Sequence, residues 1–563
     1  MAAELNTTAA ADSTVTPWEV TGKVDYNKLI EQFGTELIDD NLLKRLEAIA
    51  KKRGIKLHHY FIRKIFFSHR QLEEILTACE NGEPIFIYTG RGPTSDSLHL
   101  GHTVPFIMTV YLQQLFDCTV VIQISDDEKH WFKGTPFEDI YRLGFENAKD
   151  IIAFGFNPEK TFIFSNRDYR YSTPEYEQFM FEVSKFTKQN TIKQIFGFDT
   201  SATLAMYMWP IYQSIAAFSG AFPHIFNGQP ANCIVVYAID QDPYFRLARD
   251  IGAKMNLIKP CSVMSTFLDP LTGDGKMSSS IGADATIFLT DDEKTVRDKI
   301  NKYAFSGGGG DGSLEQHRKY GGDPTVDTAC KYLRYFEPDD DKVNKVCSEF
   351  KDGILTCGDT KKMLADAVVP FILEHQRKRN EVTPEIVENF YSKKHIDLKN
   401  NFSKEENEEQ LTVSKILNSI NANHVTTYHK SGFVVDKSFL THVRGDICRA
   451  HLLEDDKMNY LFLTLHGEKI NTKVMQKKLE LPTLKFSSKE KFDSILKYGS
   501  PYELYSKSPE TIKIIIDKDI ENCKYVNFLA LRDDALLSLP YSDFFNFLNV
   551  MNFYPIIYDK TTK

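Results

Sequence analysis

At 563 residues, with 42% hydrophobic and 26% charged side chains, the chain has the composition of a folded protein of several domains, since single cores rarely outgrow roughly 250 to 300 residues. A formal net charge of −9 excludes nucleic-acid binding by bulk charge and leaves that task to a local basic patch. Nine cysteines stand singly, without CxxC or zinc-type Cys/His spacing, and no apolar run approaches the roughly 18 residues of a membrane span. A disulfide framework and an ordinary membrane-spanning helix are excluded, and the thiols read as reduced and cytoplasmic.

In chain order, residues 1–16 lack the features of a leader peptide and are expected to be a disordered tail. Residues 17–84 form an extension of the region that follows. Trp18 to Leu29 permits a short strand or hairpin, and the spacing of Leu42, Leu43, Leu46 and Ile49 predicts a helix within 36–53. His58 and His59 are expected to pack or to bond backbone, because no further metal ligand sits nearby. No metal site is expected.

The segment IFIYTGRGPTSDSLHLGH, residues 85–102, reads as strand, glycine turn and helix start. Gly90, Gly92 and Gly101 let backbone approach a ligand, and the helix N-terminus presents amide donors to anionic oxygen. His99 and His102, three apart, lie on one side of that helix start. Strand-like runs then recur at Val120–Ile124, Thr161–Phe164 and Cys233–Ile239, separated by helical patterns around 138–153, 176–187 and 203–218. This alternation over 85–305 predicts an α/β domain with a Rossmann-type parallel sheet and a ligand at the C-terminal strand ends.

Residues 306–324 are glycine-dense and predict a hinge. Up to 392 the pattern is helical, with a basic end at His375, Arg377, Lys378 and Arg379 that suits either RNA phosphate or a helix C-terminus. Residues 393–411 read as a linker, and 412–563 as a separate C-terminal α/β domain with strands near Tyr460–Leu465, Ile512–Ile516 and Tyr525–Leu531.

Far downstream, Lys276-Met277-Ser278-Ser279-Ser280 follows a turn-rich segment suited to closing over phosphates. Together with His99-Leu100-Gly101-His102 it resembles the paired signatures of class I aminoacyl-tRNA synthetases. Over about Pro17 to Tyr391 the resemblance narrows to tryptophanyl-tRNA synthetases of the eukaryotic type. It rests on YTGRGPTSDSLHLGH, VIQISDDEKHWFK, IFGF, FPHIF, AIDQDPYFRLARD, STFLDPLTGDGKMSSS and AFSGG.

That resemblance implies a ligase that activates L-tryptophan with ATP and passes the acyl group to tRNA(Trp), with Mg2+ carried on the ATP phosphates and not in a protein cage. It implies catalytic roles for His99, His102 and Lys276. ATP would be held by Gly90, Gly92, Thr94, His99, Gly101, His102, Lys276, Met277 and Ser278. Tyr88 and Gln123 would read the indole N–H, while Glu128, Gln213 and Gln241 surround the amino group. A homodimer and a helical anticodon-binding domain over 306–392 are implied as well. Ser279 stands where many such loops carry a second lysine, and Tyr207 and Trp209 are expected in the pocket wall.

The C-terminal module resembles prolyl-tRNA deacylase-like editing domains through GDICRAHLLEDDKMNYLFLTL, KYGSPYELYS and IKIIIDKDI. Arg449 replaces the family's lysine, and Asp533 or Asp534 its asparagine, which implies an inactive or retasked module. A tyrosine-specific counterpart, a nucleotidyltransferase that also carries His-x-Gly-His, and a non-catalytic descendant stay open at this point.

Overall fold

The apolar runs predicted as strands between 85 and 239 lie side by side in one sheet. The computed structural model describes residues 14–16, 20–21, 24–273, 275–277, 285–309, 313–398, 406–428, 443, 445–481, 483–532 and 535–561. Two compact units result: one from the described residues of Met1–Cys79, Pro84–Ile225 and Asn232–Asn401, the other chiefly from those of Phe402–Lys563.

In the first unit β1 (Thr14–Val15) and β2 (Val20–Thr21) make a small antiparallel ribbon. The main sheet has seven strands: β3 (Glu36–Leu37), β4 (Phe66–Arg70), β5 (Ile85–Arg91), β6 (Thr119–Ile124), β7 (Thr161–Ser165), β8 (Asn232–Ala238) and β9 (Cys261–Ser265). Their spatial order is β3-β4-β9-β8-β5-β6-β7, parallel from β9 to β7 and antiparallel at the β3 and β4 edge. Every residue of β6, β7 and β9 is buried, the mark of strands covered on both faces. The chain runs outward from β5 through β6 to β7, then returns to the other side of β5 with β8. The strand order reverses at β5, the place where open α/β sheets take their ligands beyond the carboxyl ends.

Two expectations need adjustment. Among the described residues of 18–29 the strand is β2, and Tyr26–Phe33 is a helix whose N-cap, the Asp25 carboxylate, accepts from Asn27 and Lys28. In the glycine-dense stretch, Leu314–Tyr320 is helical and Gly308 bridges to Gly322. Gly321 has φ +71, and a Cβ there would collide with the Lys351 carbonyl oxygen. These glycines allow close backbone packing and not only freedom of motion.

The helices Glu293–Tyr303, Thr328–Phe336, Asp340–Lys351 and Cys357–Asn380 follow the predicted periodicity. The basic end of the last one turns inward. The Arg379 guanidinium donates to Asp150 Oδ1 at 2.7 Å and Glu146 Oε2 at 2.8 Å, while His375 Nε2 lies 2.9 Å from the Asp150 carbonyl. Asp150 is fully buried, and its second oxygen accepts from the backbone of Leu98, next to His99. This carboxylate ties the helical region to the start of the Leu100–Phe116 helix.

The second unit is an eight-stranded mixed sheet. Its strands are β10 (Val425–Tyr428), β11 (Asp446–Glu454), β12 (Asn459–Leu465), β13 (Lys485–Phe486), β14 (Ile512–Asp517), β15 (Tyr525–Leu529), β16 (Ala535–Pro540) and β17 (Ile556–Tyr558). They run in the order β10-β16-β15-β11-β12-β14-β17, with β13 paired to β11. Leu461, Leu463, Ile514, Ile516, Val526, Phe528, Phe544 and Phe547 fill its main core. Arg449 is exposed on β11, and Asp533 and Asp534 lie outside the described residues.

Arg379→Ala leaves Asp150 buried without its cation and is expected to cost about 3–5 kcal/mol, as for a broken buried ion pair. Arg377, whose partners Glu374 and Glu381 are exposed, is the control. Its alanine variant should leave the transition in the same thermal melt nearly unmoved.

Candidate functional site

The carboxyl ends of β5, β6 and β8 deliver the predicted residues to one crevice. β5 supplies Tyr88 and Gly90 and runs into Gly92, β6 supplies Gln123, and the turn after β8 supplies Asp240 and Gln241. Glu128 opens the helix after β6 and lies across Gly92. A Cβ on Gly92 would sit 2.5 Å from Glu128 Oε2, so the missing side chain is what admits the carboxylate. Lys129 Nζ and Ser125 Oγ donate to that carboxylate at 2.7 and 3.3 Å.

On one side of the crevice the two distant segments converge. A Cβ on Gly101 would touch His99 Cε1 at 3.1 Å and Met277 Cβ at 3.4 Å. The His99 and His102 rings stack with centroids 3.5 Å apart, and the His99 amide donates to His102 Nδ1 at 3.3 Å. Burial lowers His99 to about 3 and carries His102 well below its usual value, with Arg91 and Lys276 acting in the same direction. Both imidazoles are neutral near pH 7. His99 Nδ1 is buried and has no hydrogen-bond partner. Lys276 Nζ is paired with Asp240 Oδ2, which also accepts from Gln241 Nε2 at 3.0 Å. Ser278 lies outside the described residues.

Arg91 escapes sequence reasoning. Its Nη1 is 3.0 Å from His102 Nε2, its Nε donates to Asn147 at 2.9 Å, and its Nη2 reaches Thr94 Oγ1 at 3.4 Å. Burial lowers this guanidinium to about 10, still protonated at neutral pH. A lone cation between two glycines after a strand was the available signal. The crevice thus places Arg91 and Lys276 beside two neutral imidazoles, a set that suits polyphosphate without fixing excess charge on the rings.

On the other side, Tyr88 and Gln123 are fully buried. The Tyr88 hydroxyl is 2.6 Å from Gln123 Oε1 and 3.2 Å from the Gln213 carbonyl oxygen. Gln123 Nε2 donates to Asn166 Oδ1 at 2.8 Å, and Asn166 Nδ2 donates to Asp127 Oδ1 at 3.0 Å. Burial raises the Asp127 carboxyl to about 7 against the pull of Asn166 and of Arg170, whose Nη1 is 3.6 Å away. Asn166 carried no sequence signal, since its partner Gln123 is 43 residues away. Of the two residues expected in the pocket wall, Trp209 is buried and donates to Tyr244, whereas Tyr207 lines a separate cavity of about 440 Å³ with Gln189, Lys193 and Asp199.

Fold and crevice together define a class I tRNA synthetase catalytic region. The family described as tRNA synthetases class I (W and Y) matches residues 80–372, and the chain belongs to it. It is therefore an enzyme, a ligase that consumes ATP. A cytoplasmic tryptophan-tRNA ligase of Oryctolagus cuniculus is 42% identical over 387 residues, covering 68% of this chain and 80% of that protein. The one of Arabidopsis thaliana is 41% identical over 387 residues, covering 68% and 94%. The solved tryptophanyl-tRNA synthetase of Plasmodium falciparum is 41% identical with a TM-score of 0.60, over 66% of this chain and 95% of that one.

The histidine pair makes stability depend on pH with a definite sign. Both folded values lie below the unfolded value of about 6.5, so unfolding takes up protons. Stability conferred by the neutral rings is complete above about pH 6.5 and declines as pH falls towards the folded values. Between pH 6 and 5 the unfolding free energy should fall by up to about 1.4 kcal/mol per unit for each ring, and His99→Asn should remove one such share in denaturant titrations.

Proposed function

We propose that the protein is a cytoplasmic tryptophan-tRNA ligase. The observation that carries the amino-acid assignment is the buried pair of Tyr88 hydroxyl and Gln123 Oε1, 2.6 Å apart, where an indole N–H finds an acceptor. A site built to bond such a group strongly rejects an analogue that lacks it. The relatives named as tryptophan ligases support the same reading.

In the first step a tryptophan carboxylate oxygen attacks the α-phosphorus of ATP, and the bond to the bridging oxygen breaks. Pyrophosphate leaves with the electron pair, and tryptophanyl-adenylate remains. The protein's task is to position the reactants and stabilise phosphate charge. The neutral His99 ring offers its partnerless Nδ1 to phosphate oxygen and the neutral His102 ring stacks against it and holds it in place, while Lys276 follows the charge onto the departing pyrophosphate. Gly90, Gly92 and Gly101 admit the nucleotide close to backbone, with Thr94, Met277 and Ser278 completing its cradle. One feature fits a nucleotide here: the partnerless, buried Nδ1 of His99. Mg2+ would be held by the ATP phosphates and would supply charge neutralisation there. Glu128, Gln213 and Gln241 surround the amino group, and the acyl group then passes to the terminal ribose of tRNA(Trp).

The helical stretch 306–392 serves the anticodon. A homodimer is supported by exposed apolar side chains on neighbouring helices, Phe181 at 61% and Leu204 at 81% exposure. The C-terminal unit, with Arg449 in place of a lysine, grips tRNA without hydrolysing it.

Amino-acid-dependent exchange of pyrophosphate into ATP tests the reading. Tryptophan should support exchange and tyrosine should not, and Lys276→Ala should lower the rate by at least about 100-fold, the scale of losing one transition-state donor. Exchange with tyrosine, or with neither, would overturn it.

A further inference from the structure

The amide of Gln123 meets tryptophan usefully only in one of its two orientations. With Oε1 towards Tyr88 and the crevice it offers an acceptor to an indole N–H; turned over, it offers a second donor and repels that group. Packing alone does not distinguish the two, because the amide oxygen and nitrogen have nearly the same size. Something on the far side of Gln123 has to choose.

The structure assigns that choice to Asn166: we propose that it is a positioning residue which locks the Gln123 amide with its oxygen facing the substrate, and so sets specificity for an indole N–H. The inference rests on the assignment of Tyr88 and Gln123 to the indole. Asn166 is fully buried at the first position of the helix that follows β7, one strand over from Gln123 on β6, and its Oδ1 accepts from Gln123 Nε2 at 2.8 Å. Its own orientation is fixed in turn. Asn166 Nδ2 donates to Asp127 Oδ1 at 3.0 Å, and that oxygen accepts whether the carboxyl is ionised or carries its proton on Oδ2, which has no hydrogen-bond partner. Arg170 Nη1 stands 3.6 Å from Asp127 Oδ2, and the guanidinium lies 4.0 Å above the Tyr212 ring, next in sequence to Gln213.

A directional chain therefore runs from carboxylate to amide to amide to phenol. Each member takes its polarity from the one before, and the last two face the substrate. Asp127 in turn opens the turn that leads into Glu128, so the wall that reads the indole and the group assigned to the amino end share one anchor.

Pyrophosphate exchange with the purified full-length protein tests this, run with L-tryptophan and with 3-(benzothiophen-3-yl)-L-alanine, in which sulfur replaces the N–H. The measured quantity is the ratio of kcat/KM for the two. In Asn166→Leu the ratio should fall at least about tenfold, through a raised KM for tryptophan with kcat and the analogue's constants little changed. Gln123→Leu should lower it similarly. If Asn166→Leu reduces both substrates equally, or neither, while Gln123→Leu lowers the ratio, the positioning role is overturned and the indole assignment stands. If Gln123→Leu leaves the ratio unchanged, the indole assignment fails and takes this inference with it. Asn166→Ser, too short to reach both Gln123 and Asp127, reads the same ratio if the leucine variant does not fold.

Discussion

Gly101 is the point on which the crevice depends. It sits one residue into the helix that follows β5, and its missing side chain lets His99 fold back on one side while Met277 packs on the other. A methyl there would press on the His99 ring and on Met277, which would have to give by a few tenths of an ångström. Close approach of backbone is the physical requirement, and glycine meets it without cost in contacts. The parallel sheet supplies the frame, because β5 lies between β6 and β8 and all three end at the same level.

Charge is then arranged around that junction in a graded way. Asp240 holds Lys276 and Gln241, Glu128 holds Lys129, and Arg91 is shared among His102, Asn147 and Thr94. Burial keeps the two imidazoles neutral, so their charge does not vary near pH 7. Behind the same junction Asp150 accepts from Leu98 on one side and Arg379 on the other. The helical region thereby bears on the helix start that presents His99 and His102.

Much of the site was legible because its chemistry is local in sequence. His99-Leu100-Gly101-His102 and Lys276-Met277 are short signatures, and the apolar runs of β6 and β8 announce strands buried on both faces. Less legible were the contacts made across strands. Asn166 and Asp127 lie in polar stretches that read as ordinary turns, and Arg91 looks like one more polar residue in a glycine-rich loop. The basic end at 375–379 was ambiguous for the same reason: its inward partner, Asp150, lies more than two hundred positions earlier. In the second unit β11 was missed because Arg449 and His451 interrupt its apolar pattern, and the short β10 and β13 are strands only through their pairing with β16 and β11.

By itself, then, the order of residues determined the class of fold, the phosphate-side signature and the residue types available to read an amino acid, since propensity, periodicity and glycine spacing act over a few neighbours. Tertiary structure alone decided that Met277 meets Gly101, that Arg91 backs His102, and that Gln123 is held by Asn166. Those facts come from strands brought side by side, and a buried hydrogen bond depends on which groups share a dry space, not on their separation along the chain.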